Sequence, residues 1–156
     1  MAAKVAKCCP WLYTDANTTV WMDGGARLQH PGAVEWAVAH GQYAQWLHPE
    51  RTDVTDEAKV SAELNKYRDQ PVVEQAAWYH TDGLPDDWGL WACGFMVRPR
   101  WWPLAEPWLV EQMRWSWQDQ LSLPWLLWKL GIRPTPLEGS LWNNPHVRFT
   151  GHASDA

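Results

Sequence analysis

At 156 residues the chain suits one domain with a core of its own, on the usual scale of roughly 100–200 residues per domain. With 46% hydrophobic and 20% charged residues it is globular rather than disordered, and a formal net charge of −5 argues against a nucleic-acid binder, which would show a basic face. No apolar run approaches the ~20 residues of a membrane span and residues 1–7 lack the apolar core of a signal peptide, so a cytoplasmic protein with no nucleic-acid partner and no membrane span is expected.

The elements read in order as follows. Residues 2–9 form a short helix stopped by Pro10. Thr19, Val20 and Trp21 favour a strand that runs through Met22 into Asp23-Gly24-Gly25. Pro31 opens a short helix through Val34, Trp36 and Val38, and Tyr43 to Leu47 reads as a strand. Asp53 or Thr55 caps a helix with Val60, Leu64 and Tyr67 at helical spacing, its first turn made acidic by Asp56 and Glu57. Pro71 opens the next helix, with Val72, Ala76 and Tyr79 inward and Gly83 at its end.

Leu90 to Val97 is apolar on both alternating faces, as in a central strand covered on both sides. Pro107 starts a helix carrying Trp108, Leu109, Met113 and Trp117. A last helix runs through Trp125 and Trp128 to Gly131, and Pro124 is acceptable only in its first turn, which places Asp119 just ahead of it. Residues 1–133 therefore form the domain, and residues 134–156, rich in Pro, Gly, Asn and His, read as a loop wrapping back over it. Strands alternating with helices indicate the α/β class, a mixed sheet flanked by helices, without giving a strand order.

Cys8, Cys9 and Cys93 include no C-x-x-C pair, which points to reduced thiols rather than a disulfide framework or zinc. Fifteen tryptophans outnumber the six Tyr and Phe together, and most are expected in the core, although an indole face also stacks on sugar. Asp23, at the end of a strand and before two glycines, can hold a divalent cation and through it a diphosphate; the plainer reading is an Asp-Gly turn. His146 or His152 could complete such a site. Asp119, between the amides of Gln118 and Gln120, is either a helix-capping carboxylate or a general base at the ligand edge. The run His48 to Glu57 is dense in polar groups, which suits either a solvated loop or a ligand contact.

Five segments together resemble a known pattern: Val20-Trp21-Met22-Asp23-Gly24; His48-Pro49-Glu50-Arg51 with Asp56-Glu57-Ala58; Gly83-Leu84-Pro85; Gly89-Leu90 with Gly94 and Arg98; and Ser116 with Asp119-Gln120-Leu121-Ser122. In this order and spacing the chain resembles the glycosyltransferase-like family long catalogued as a domain of unknown function, of the turgor-regulation and mucilage-related type, with bacterial and phage members. The resemblance implies the C-terminal part of a GT-A-like nucleotide-diphospho-sugar transferase fold, and transfer of a sugar from a nucleotide-sugar donor to a hydroxyl of a glycan or protein acceptor.

It implies Asp119 as the catalytic residue facing acceptor or sugar. Gly24, Gly25, Arg51, Arg98, Gln120, Trp91 and Trp117 would bind donor or sugar. A divalent cation, Mn or Mg, would sit at Asp23, with His152 as a second ligand because the motif lacks a second acid. The strand carrying Asp23 is expected to be an inner one. Too few residues precede it for the βαβ unit of ~30 residues that binds the nucleoside in such enzymes. A second chain completing the domain is one expectation. A non-catalytic carbohydrate-binding or assembly protein is the alternative to the enzyme.

Overall fold

The computed structural model describes residues 2–150. Its elements are α1 (Ala2–Cys8), β1 (Thr18–Met22), β2 (Ala26–Leu28), α2 (Ala33–Ala39), β3 (Ala44–Leu47), α3 (Val54–Ala62), α4 (Val72–Thr81), β4 (Trp91–Pro99), α5 (Ala105–Arg114), α6 (Asp119–Lys129), β5 (Thr135–Pro136) and β6 (Val147–Phe149). The main sheet has the order β1-β4-β3-β5 and is mixed: β4 is antiparallel to both β1 and β3, and β5 is parallel to β3. A separate antiparallel ribbon joins β2 to β6. The class is thus α/β with a mixed sheet flanked by helices, and among the described residues no helix is long and apolar enough to cross a membrane.

Strand β4 is central because it is apolar on both faces, and layers cover both. Trp91, Cys93 and Met96 join one core with Trp102, Trp108 and Leu127. Ala92, Phe95 and Val97 join the other with Trp46, Leu137 and Val147. The alternation slips by one residue at Gly94, where the β3 partner register also shifts between Gln45 and Leu47, as at a β-bulge. A Cβ at Gly94 would come within 2.9 Å of Cε1 of Phe149, so that ring would have to shift. A third core, under α3, α4 and α6, holds Val54, Ala76, Tyr79, Leu90 and Leu121.

Several expectations are corrected. The strand ending at Asp23 is at the edge of the sheet, not inside it, because the doubly apolar β4 takes the centre and β1, half-buried throughout, pairs with β4 alone. Helix α3 turns Val54, Glu57, Ala58 and Ser61 inward and leaves Val60 and Leu64 exposed; it stops at Ala62, before the heptad-like spacing to Tyr67 is used. Helix α5 ends at Arg114, which leaves Trp117 in a loop.

Pro124 lies in the second turn of α6, not the first, so Asp119 is the first helical residue and not a cap. The missing N–H of Pro124 deprives the Gln120 carbonyl of its helical donor. The segment expected as a loop from residue 134 contributes β5 and β6 and buries Leu137, Leu141 and Val147. Of the two candidate caps of α3, Asp53 is the one used, its carboxylate accepting from the Thr55 N–H at 2.7 Å.

Candidate functional site

A cleft of about 620 Å³ opens between α1, the end of β1, the loop after β3 and the start of α6. Each wall is placed by a local rule. Lys4 and Lys7 are three apart on α1 and so share one face. Both ammonium groups lie 2.7 Å from Oδ2 of Asp119. Asp119 opens α6, whose N-terminal dipole adds positive charge beside the carboxylate. Its Oδ1 accepts from Nε2 of Gln112 at 2.9 Å. Lys7 Nζ also lies 3.2 Å from Oδ1 of Asp23, which in turn accepts from the Trp21 indole N–H at 2.7 Å. The Asp23 N–H pairs with the Gly94 carbonyl, so the bulge at Gly94 and the acid sit side by side.

A second charged knot forms around Glu57 on α3. Arg51 Nε donates to its Oε2 at 2.6 Å, and Gln118 Nε2 donates to its Oε1 at 2.7 Å. Gln118 accepts from the Tyr67 hydroxyl at 3.0 Å, so the residue next to Asp119 ties the two knots together. His48 Nδ1 accepts from the backbone N–H groups of Glu50 and Arg51, and its Nε2 lies 3.2 Å from Nη2 of Arg51 and 3.7 Å from Glu57. Trp21, Tyr67 and Trp142 give the cleft flat apolar surface.

Burial raises the pKa of Asp119, but the charges of Lys7 and then Lys4 outweigh it and hold the carboxyl below the ordinary range. Burial lowers that of Lys7, and Asp119 and Asp23 outweigh it, so the ammonium is held above its ordinary value. Burial lowers the pKa of His48 more than Glu57 raises it. Burial pushes the Cys8 thiol up to about 12 and raises Cys93 as well, so neither is a thiolate nucleophile at neutral pH.

Stability then follows pH with a definite sign. Asp119 and His48 have depressed folded values, so what each contributes is present above about pH 3.9 and 6.5 respectively and is lost as pH falls. Cys8, Cys93 and Lys7 have raised folded values, so their contributions are lost as pH climbs past about 8.5 for the thiols and 10.4 for the amine. The melting temperature, measured by calorimetry under reducing conditions, should peak between about pH 7 and 8. A rise in melting temperature between pH 7 and 5 would contradict this assignment.

The cleft gathers Asp23, Gly24, Arg51, Asp119 and Gln120 of the residues expected at a site. Gly25 does not line it; its carbonyl accepts from Thr150. Trp91 is packed in the core with Trp102 and Trp108. Arg98 is only 2% exposed, donates to the Ala6 carbonyl and lies over the rings of Trp21 and Trp102. The inward face of β4 at that position looks into the α1–α5 layer, not the cleft. Trp117 is 46% exposed on the loop before α6 and also stays outside. His152 lies outside the described residues. Glu57 belongs to the run read as either a solvated loop or a ligand contact, whereas Lys4, Lys7, Gln118 and Tyr67 were not expected at the site; the available signal was two lysines at helical spacing beside two cysteines on an otherwise apolar helix.

A divalent cation does not fit between Asp23 and Asp119 as these residues are arranged. Such ions need several oxygens around one point. Here the point between the two carboxylates is filled by the Lys7 ammonium, and the Asp23 oxygen facing it already accepts two donors. Away from the cleft, Asp53, His80 and Asp86 bring one ligand atom each within 4.8 Å of one another, but Asp53 is engaged in capping Thr55 and Asp87.

Comparison with protein-family models, with curated proteins and with solved structures finds no match to this chain. The chemistry of the cleft therefore carries the functional argument. Its acids and bases are paired with one another, so it offers ligands both fixed acceptors and fixed donors beside flat aromatic walls. Asp119, held below the ordinary carboxylate range, suits acceptance of a hydroxyl hydrogen bond better than proton abstraction, which favours a pKa near the working pH.

Proposed function

We propose that the protein is a glycosyltransferase-like, sugar-binding protein whose cleft receives the sugar of a nucleotide-sugar donor and a hydroxyl acceptor. One observation carries this reading. Segments far apart in the chain that make up the resemblance converge on a single cleft: Asp23-Gly24, His48 to Arg51 with Glu57, Gly94, and Asp119-Gln120. The remaining pieces act from behind, with Leu84 and Leu90 in the core beneath α4 and α6. Paired donors and acceptors suit sugar hydroxyls, each of which both donates and accepts, and aromatic faces suit the apolar face of a pyranose.

In this reading Asp119 and Asp23 orient hydroxyls and Arg51 and Gln120 bind the polar rim. The outer edge of β1 is unpaired in the sheet among the described residues, the place where a completing strand of a second chain would add. The test is donor hydrolysis and transfer across UDP-, GDP-, TDP- and CMP-linked sugars, for the wild type and Asp119→Asn. One donor class should turn over, and the substitution should lower the rate by about 100-fold or more, the usual loss for one preorganised polar contact to the transition state.

A second reading is a carbohydrate-binding protein without transfer. It is favoured by Asp119, whose carboxyl Lys7 and Lys4 hold below the ordinary range, away from what a general base needs. Glycan-array binding that Asp119→Asn abolishes, together with no turnover of any donor, would select it over the enzyme. Neither turnover nor glycan binding would dismiss both.

A further inference from the structure

We propose that the Lys7 ammonium is the resident cation of this cleft, standing between Asp23 and Asp119 in place of a divalent metal, and that with Lys4 and Lys66 it binds the diphosphate of a nucleotide without metal. The proposal rests on the glycosyltransferase reading above and names its donor chemistry.

The geometry supplies three supports. First, Lys7 is 2% exposed yet lines the cleft, and its Nζ lies 2.7 Å from Asp119 and 3.2 Å from Asp23. A metal entering that point would have to expel a buried ammonium that has no other carboxylate to pair with, leaving an uncompensated charge in the interior. Second, the site has hydrogen-bonding capacity to spare. An ammonium has three N–H donors. Lys7 directs two at carboxylates and Lys4 directs one, so one and two respectively remain for phosphate oxygens. Third, the lining holds a cation without a carboxylate partner. Lys4 and Lys7 pair with Asp23 and Asp119, Arg51 pairs with Glu50 and Glu57, and Lys66 lines the same cleft. Lys66 lies over the Tyr67 ring at 5.0 Å, and among the described residues no carboxylate stands within ion-pair distance of it. Over the whole lining the four cations Lys4, Lys7, Arg51 and Lys66 balance the four anions Asp23, Glu50, Glu57 and Asp119, so Lys66 is the one charge left to a ligand, and lysine binds phosphate as a point charge without the fork geometry of arginine.

The experiment measures Mn²⁺ binding to the wild-type protein by loss of the free-ion EPR signal, and binding of UDP, GDP, ADP, CDP and TDP by calorimetry in EDTA and in excess Mn²⁺. Expected are an unchanged Mn²⁺ signal and one nucleoside diphosphate bound equally well in EDTA and in Mn²⁺. Lys4→Gln, at a partly exposed position that tolerates substitution, should weaken that binding by about 10-fold or more, the scale of a lost hydrogen bond to a charged group. Lys7→Gln should weaken it further, provided its circular dichroism matches the wild type. Stoichiometric Mn²⁺ binding abolished by Asp23→Asn, with nucleotide bound only in its presence, would overturn the lysine proposal and leave the donor reading standing. Metal-independent nucleotide binding indifferent to Lys4→Gln would also overturn it. Failure of every nucleoside diphosphate to bind in either condition would remove the proposal together with the reading of a nucleoside-diphosphate-sugar donor.

Discussion

Asp119→Ala is expected to destabilise the fold by about 3–5 kcal/mol, the range for removing one partner of a buried ion pair. The reason is what the substitution leaves behind. Lys7 keeps only Asp23, at the longer distance of 3.2 Å, and its ammonium stays in the interior with half its charge compensation gone. Gln112 Nε2 loses its acceptor on Asp119 as well. Lys4 contributes less to the loss, because its side chain is 22% exposed and can turn to water. Urea unfolding at pH 7 measures the effect. The double variant Lys7→Met/Asp119→Leu should recover much of the stability, since replacing a whole buried pair with apolar side chains is often neutral. A cost below about 1 kcal/mol for Asp119→Ala, the range of an exposed pair, would show that the pair is solvated and that the cleft is organised differently.

The parts of this fold that were legible in the sequence are those governed by local rules. Both faces of residues 90–97 are apolar, and that run is the central strand β4. Pro71 and Gly83 bracket α4, and Gly83 has the positive φ of 108° that glycine tolerates. Asp53 caps α3 by the short-range bond expected of it. What was not legible depends on partners distant in sequence. Whether β1 is an inner or an edge strand follows from which strand wins the centre, a competition that Thr18 to Met22 do not encode by themselves.

The site divides the same way. Asp23 and Asp119 announced themselves by position, one before a glycine pair and the other between two amides, and both line the cleft. Lys7 gave no comparable signal. A lysine on a short helix ordinarily reads as a solvated side chain, and its burial follows from a carboxylate 112 positions away. Asp56 and Glu57 look alike as first-turn acids, yet Asp56 pairs with Lys59 at the surface whereas Glu57 is the buried centre of the second knot. Arg98 erred in the opposite sense: an arginine after an apolar strand suggested an anion contact, but the pleat points it into the aromatic layer under α1. Charged residues in this protein are thus assigned to core or cleft by tertiary geometry, and their residue type alone does not say which.

Trp108→Ala should cost a further stability loss of about 3–5 kcal/mol, the range for truncating a buried aromatic, and should impair the cleft although Trp108 does not line it. The indole is fully buried between α5 and α6 and meets Trp102 edge-on, with centroids 5.7 Å apart and planes at 88°. Its Nε1 donates to the Ser122 hydroxyl at 3.0 Å. Ser122 lies in the first turn of α6, which begins with Asp119 and is followed in the second turn by Pro124, where the helix lacks a backbone donor. That end of the helix has less backbone hydrogen bonding than an ordinary first turn, so the Trp108–Ser122 bond and the packing around it fix where Asp119 stands. Trp108→Phe keeps an aromatic body and loses the N–H, and should cost about 1–2 kcal/mol, the scale of one buried hydrogen bond plus a small void. The two variants together separate packing from hydrogen bonding: denaturant midpoints give the stability, and sugar or nucleotide affinity gives the position of α6. Equal costs for Phe and Ala would mean that the ring contributes no core packing. A full loss of stability with undiminished affinity in the folded fraction would mean that α6 is positioned by its ion pairs with α1 and not by the tryptophan beneath it.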